Sequence, residues 1–289
     1  MISGWDARSK TAATRHGLFA VGRDGFRLIA YGLFYGLTVV ADAIYAFEAA
    51  GRPHHATFRG RIVRFDREGD AIVGAEVIAT GLDNGCHQID VVRGELLVLD
   101  TYNQKIVAMD MSGAGKRLED PLPLQEGDPG SYRHVNSLLQ HGDRTLLLLH
   151  NGANDEERRS ELATFDADWN LLECAELDGH CCHSLALLED GTLLSCGSLA
   201  SELIGSNGVK VKLGDMMTRG LSVDAEQILV GGSTFASRDK RDDVSGAIYF
   251  LDRDYTLTGT LAMPAPVMEI RRIDGRDRSL SPYLASLGA

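Results

Sequence analysis

The 289-residue chain carries 41 acidic and 29 basic residues, a formal charge of −12, and this argues against a nucleic-acid partner, which needs a basic face for phosphates. Hydrophobic residues at 44% supply a sizeable core, and 32 glycines against seven prolines suit a chain of tight turns. The first residues lack the apolar run of a secretory signal, and the most apolar window, Phe26 to Phe47, is broken by Arg27 and Asp42, so a cytoplasmic protein without a membrane partner is expected.

In chain order, HGLFAVGRDGFRLIAYG (His16 to Gly32) reads as two outer strands of a unit whose inner strands have not yet appeared. Five segments then repeat one grammar, a first strand, a tight turn and a second apolar strand. They start at Phe34 (FYGLTVVADAIYAFE), Cys86 (CHQIDVVRGELLVLD), Arg133 (RHVNSLLQHGDRTLLLLH), Cys181 (CCHSLALLEDGTLLSCG) and Thr218 (TRGLSVDAEQILVGG). Further strand pairs follow, clearest at Gly60 to Gly81, Ser160 to Leu177 and Gly246 to Pro264. Four antiparallel strands per unit give an all-β fold, a six-bladed β-propeller in one domain, 1–289. The sixth blade is a composite: PVMEIRRIDG (Pro266 to Gly275) supplies its first strand, Arg276 to Ala289 a weakly apolar second, and the N-terminal pair its outer strands. A sandwich or a seven-bladed closure is the alternative.

Aligning the first strands as YGLTVV, HQIDVV, HVNSLL, HSLALL, RGLSVD and MEIRRI places Tyr35, His87, His134, His183, Arg219 and Met268 at one height around the channel. The ends of the second strands add Glu48, Asp100, His150 with Asn151, and Cys196 at the same mouth. Long connections at 49–59, 152–159, 198–207 and 233–245 are expected to open there, and such loops on a rigid scaffold commonly carry function. Three converging imidazoles suit a divalent transition metal, Mn, Fe or Zn, with Glu48 and Asp100 as orienting partners. The alternative is that each histidine plugs the channel against a neighbouring carbonyl. Arg219 suits a substrate oxyanion, or alternatively pairs with Glu269. Strand alternation turns Cys86 and Cys182 away from the channel to pack between blades, and the odd count of five cysteines favours reduced thiols. His54 and His55 fall on a long loop and read as solvent-exposed; the glycines of Val230 to Ser233 lack phosphate-loop spacing.

The segments TRGL, ILVGGS, GAIYFLD and VMEIRRI, with HVNSLL and CHSLALLEDGTLL, resemble a bacterial six-bladed propeller family without an assigned activity, over about two-thirds of the chain. The three-histidine ring resembles the metal site of propeller oligogalacturonate lyases, whose additional glutamine ligand has no clear counterpart because Gln88 should point away. His134 and Asn136 with Arg219 are similar to part of the arylsulfotransferase site, where a histidine accepts the sulfuryl group.

Together these readings predict an enzyme of lyase or hydrolase type. His87, His134 and His183 hold the metal, Arg219, Asn136 and Asn151 bind a small anionic substrate, and Tyr35 or His150 moves the proton. Two rivals predict otherwise. A non-catalytic propeller would bind a protein or small ligand through loop residues such as Phe235 and Arg238, and a metal-free transferase would use one histidine as nucleophile.

Overall fold

The computed structural model describes residues 16–50, 59–120, 133–151, 158–237, 240–274 and 277–281. The chain folds as a β-propeller. A hairpin comes first, β1 (Gly17–Gly22) and β2 (Gly25–Tyr31). The first blade is β3 (Phe34–Val40), β4 (Ala43–Glu48), β5 (Gly60–Glu68) and β6 (Ala71–Leu82); the second is β7 (Cys86–Val92), β8 (Glu95–Asp100), β9 (Lys105–Met109) and β10 (Arg117–Glu119). Blade three holds β11 (Val135–His141), β12 (Arg144–Leu149), β13 (Glu161–Phe165) and β14 (Leu171–Glu176). Blade four holds β15 (Cys182–Leu187), β16 (Leu193–Gly197), β17 (Glu202–Gly205) and β18 (Lys210–Lys212). Blade five holds β19 (Met217–Val223), β20 (Gln227–Ser233), β21 (Gly246–Asp252) and β22 (Leu257–Met263). Within every blade the strands pair in antiparallel sequence order.

The first two strands of each blade are the most apolar, and they are the buried ones. Phe47, Ile89, Leu97, Leu99, Leu138 and Leu147 are all at most 2% exposed, whereas every residue of the outermost strand β14 is exposed. Apolar side chains from adjacent blades merge into shared layers, one of which joins Phe47 and Ile62 of the first blade to Ile89 and Val98 of the second. The flat faces of neighbouring sheets are thereby buried without a separate core.

The expected composite sixth blade is not formed among the described residues, and five blades are seen in place of six. Among the described residues the sheets are five of four strands and one of two, β1 with β2, and the stretch 264–274 contains no assigned strand. It nonetheless occupies the expected inner position. The Arg271 guanidinium donates to the Leu37 carbonyl of blade one and the Leu221 carbonyl of blade five, so the stretch spans the gap between them.

Residues 277–281 do not form a second strand. Asp277 accepts from Ser222 Oγ and Val223 N–H, Arg278 N–H donates to the Val223 carbonyl, Ser281 N–H donates to Asp90 Oδ2 and Ser281 Oγ accepts from Gln140 N–H. The partners lie on first strands of blades two, three and five, toward the ends remote from the predicted mouth. The segment therefore crosses the floor of the channel and plugs it. A channel lined by buried Thr38, Asp90 and Ser222 needs polar partners, and this tail supplies them.

The stretch 198–207, expected as a long loop, is instead a turn followed by β17, because Leu203 and Ile204 are buried between blades. Most of 49–59 and 152–159, with His54 and His55, lies outside the described residues, as does Arg238; Phe235 is exposed.

Candidate functional site at the channel mouth

Each of the five first strands breaks register near its start: Phe34/Gly36, Cys86/Ile89, Val135/Ser137, His183/Leu185 and Arg219/Leu221. A bulge sets two residues against one, bends the strand and re-aims its side chains. Repeated at one height in five consecutive blades, it makes a ring of bulges at the mouth. Three non-glycine residues in this ring, His134 (φ 53°), Cys181 (φ 50°) and Ser184 (φ 61°), have left-handed backbone. Such backbone costs on the order of 1–3 kcal/mol per residue and collects at functional sites.

Inside that ring four imidazoles touch in a closed circuit. His87 meets His134 edge to face at 4.8 Å between ring centroids, His134 stacks on His150 at 4.2 Å, His150 meets His183 edge-on at 5.0 Å, and His183 lies 6.2 Å from His87. His150 enters because β11 and β12 are paired, so that its N–H donates to the His134 carbonyl and the two side chains become neighbours.

Hydrogen bonds define the tautomers of two rings. His183 Nδ1 lies 2.9 Å from the Cys181 carbonyl and 2.8 Å from Ser198 Oγ, whose own proton goes to the Thr218 carbonyl. A carbonyl only accepts, so Nδ1 carries the proton and Nε2 presents a lone pair. His87 repeats this with its Nδ1 at 3.3 Å from the Gly85 carbonyl. Its Nε2 stands 3.1 Å from His134 Nε2, while buried His183 Nε2 has no hydrogen-bond partner among the described residues. Burial, reinforced by the Arg219 charge, lowers the pKa of His87 to about 3 and that of His183 well below its usual value. Both rings are neutral at physiological pH.

The other expected site residues distribute as follows. Arg219 sits beside the ring, with Nη1 3.8 Å from Met268 Sδ, as the strand alignment required; Glu269 pairs with Arg271 at 3.1 Å. Asn136 is buried, its Oδ1 accepting from Ser137 Oγ. Tyr35 packs in the apolar layer with Phe47, Cys86 and Met268. Asn151 turns its amide into blade three, toward the Arg159 carbonyl and Glu161. Glu48 binds Arg61 directly across the strand pair, and Asp100 caps its own turn through Asn103. The described hydrogen bonds that orient the imidazoles come instead from the Gly85 and Cys181 carbonyls, the kind of partner the alternative reading expected, and from Ser198, which sequence reasoning missed. Gln88 reaches across to Leu138 N–H. Cys86, Cys182 and Cys196 pack in apolar layers, and burial raises their thiol pKa values, so they remain protonated.

Among the described residues no group of three or more His, Cys, Asp or Glu side chains is placed so that it could hold a metal ion. No helix among them is long and apolar enough to cross a membrane.

No family model and no curated protein matches the chain. Solved structures do. A chain from a nidogen/laminin complex superposes with a TM-score of 0.63 at 11% identity, over 86% of this chain and 89% of that one. A putative gluconolactonase gives 0.56 at 14%, over 91% and 88%, and the Neurospora crassa Pan2 WD40 domain gives 0.51 at 8%, over 83% and 69%. At these identities the likeness shows the fold alone.

Proposed function

We propose that the channel mouth is a transition-metal site and that the protein is a metal-dependent hydrolase or lyase acting on a small anionic molecule. The observation that carries this reading is the state of His87 and His183: each commits Nδ1–H to a backbone carbonyl and turns an unprotonated Nε2 into the cluster. Metal-ligating histidines are held in this way, with the second nitrogen donating to a carbonyl or carboxylate. The 3.1 Å separation of His87 Nε2 and His134 Nε2 fits two ligands of one ion, since bonds of about 2.0–2.1 Å in tetrahedral geometry separate ligand nitrogens by roughly 3.3 Å. Holding an ion would require His183 Nε2 to turn toward His87 and His134; its ring lies 6.2 Å from that of His87, which in turn meets that of His134 at 4.8 Å.

In this reading His87, His134 and His183 would hold Zn, Mn or Fe, which would supply Lewis-acid chemistry at a substrate carbonyl or a water. His150, stacked on His134, stands where a proton donor or acceptor is needed, and Arg219 supplies the positive charge for a substrate carboxylate or other oxyanion. Asn136, next to the His134 bulge, faces the same substrate. The plugged floor makes the mouth the route in and out. The putative gluconolactonase among the structural neighbours makes lactones a sensible first panel, with uronate oligosaccharides as the lyase panel. The expected result is turnover that a chelator abolishes, a transition metal restores and His134→Ala lacks. Turnover indifferent to chelator would overturn the reading.

A further inference from the structure

Residues 277–281 cross the channel floor, and the side chains they bury there are all polar. Asp277, Ser279 and Ser281 are buried, while Arg278 is exposed and Leu280 half-buried. Asp277 accepts from Ser222, Val223 and the Arg272 N–H, Ser279 Oγ accepts from Arg271 Nη1, and Ser281 bridges Asp90 and Gln140. On the outer side Arg278 pairs with Glu189 at 2.6 Å, but both side chains are about half exposed and such a pair contributes little. Apolar burial would hold the segment equally at every pH, whereas contacts with ionisable groups depend on their protonation. Those groups form one buried cluster. Glu269 pairs with Arg271 at 3.1 Å, and Asp90 accepts from Thr38 Oγ1 at 2.8 Å and from Ser281 N–H at 2.9 Å. Three carboxyl groups, Asp90 on β7, Glu269 and the segment's own Asp277, therefore share the single guanidinium of Arg271. β19 backs onto Glu269, since a Cβ on Gly220 would fall 3.1 Å from its carbonyl carbon. The charged groups of that strand's two ends are Arg219, beside Met268 at the mouth, and Asp224, paired with Arg272 at 2.8 Å. The thiols of Cys86 and Cys196, which also feel the Glu269 charge, stay protonated.

We propose that residues 277–281 are a proton-controlled seal, closing the channel floor while Glu269 is neutral and withdrawing as it ionises, whatever the imidazoles at the mouth bind. With all three carboxyls ionised, one guanidinium leaves the cluster with two unbalanced negative charges in a buried space, and Asp277 is the member that can leave with the segment. Burial, opposed by Arg271 and reinforced by Asp277 and Asp90, raises Glu269 to about 7. Withdrawal admits water to Glu269 and takes the Asp277 carboxylate away from it, and both changes lower its affinity for the proton. The hold on the segment therefore includes a contribution that is fully present below about 4.5, the ordinary value for the group, and is lost as pH rises to about 7. Within that window the sealing equilibrium falls by up to about tenfold per pH unit, and above it the equilibrium is level. An open floor gives the channel a second entrance opposite the mouth.

Amide hydrogen exchange at Ser279 and Ser281, divided by the intrinsic rate at each pH, reads the seal directly. We expect these amides to be less protected than those of Leu147 to Leu149 in the core of β12, and to lose about tenfold or more of their protection between pH 5 and 7.5. Glu269→Gln keeps the shape of the protonated side chain, and its seal should hold the acid level of protection across the whole range. Protection in the parent that does not change with pH would overturn the proposal without recourse to the variant. So would seal amides that exchange only together with those of β12, since the segment would then leave only when the whole protein unfolds. A Glu269→Gln protein that keeps the parent's pH dependence would overturn it as well.

Discussion

Ser198 is a small residue with a large expected effect. Its hydroxyl accepts from His183 Nδ1 and donates to the Thr218 carbonyl, locking the tautomer that frees Nε2. Ser198→Ala should weaken metal affinity by about 10–100-fold, the usual cost of losing an outer partner, with little change in thermal stability. Titration calorimetry beside a melting curve separates the two effects. Buried charge makes two opposing contributions to acid stability. His87, lowered to about 3, binds no proton in the fold while the unfolded chain does, so its contribution is present above about 6.5 and is lost as pH falls through 3. Glu269 behaves oppositely: burial among Asp90 and Asp277 raises it to about 7, so its contribution is present below about 4.5 and is lost as pH rises through 7. The two slopes oppose each other between about pH 4.5 and 6.5, so Glu269→Gln should make the melting temperature fall more steeply toward acid in that window and leave the limb below 4.5 unchanged. A pH profile identical to that of the parent would contradict this.

The strands were legible in sequence because apolar alternation and turn residues repeat five times, and the later strand pairs fall where the Asp-containing turns put them. The alignment of first strands also put His87, His134, His183 and Arg219 at one height. What it could not show was the bulge in each of those strands. A one-residue shift changes which side chains face the channel, so parity alone misplaced Tyr35, which packs between blades one and two. Glu48 and Asp100 were misread for a related reason. Each sits at the right strand end, but Arg61 and Asn103 lie closer than any imidazole. The same crowding yields a test. Gly231 lies against the unassigned stretch, and a Cβ there would fall 2.2 Å from the Arg219 carbonyl oxygen and 2.4 Å from Val267 Cγ1. Gly231→Ala should therefore cost about 1–3 kcal/mol in chemical denaturation. A neutral effect would mean that 264–274 does not pack on blade five as described.

At the scale of the whole molecule, the propeller joins a rigid ring of first strands to a tail that seals one end. Asp277 holds the seal, accepting from Ser222, Val223, Arg272 and Ser279. Asp277→Ala leaves several buried donors without a partner and should cost about 3 kcal/mol or more, with faster amide exchange at Ser281 and Gln140. Composition foretold the charge and the repeat, but the seal was not legible, since Asp277 to Ser281 looks like any polar tail until the channel's own Asp90 and Ser222 are seen to need it.

The account rests most heavily on the imidazole cluster, and elemental analysis of the purified protein beside His134→Ala tests it most directly. The account predicts near-stoichiometric Zn, Mn or Fe in the parent, or after reconstitution, and its loss in the variant. A parent that binds no transition metal even when reconstituted, or a variant that keeps the parent's full metal content, would contradict it.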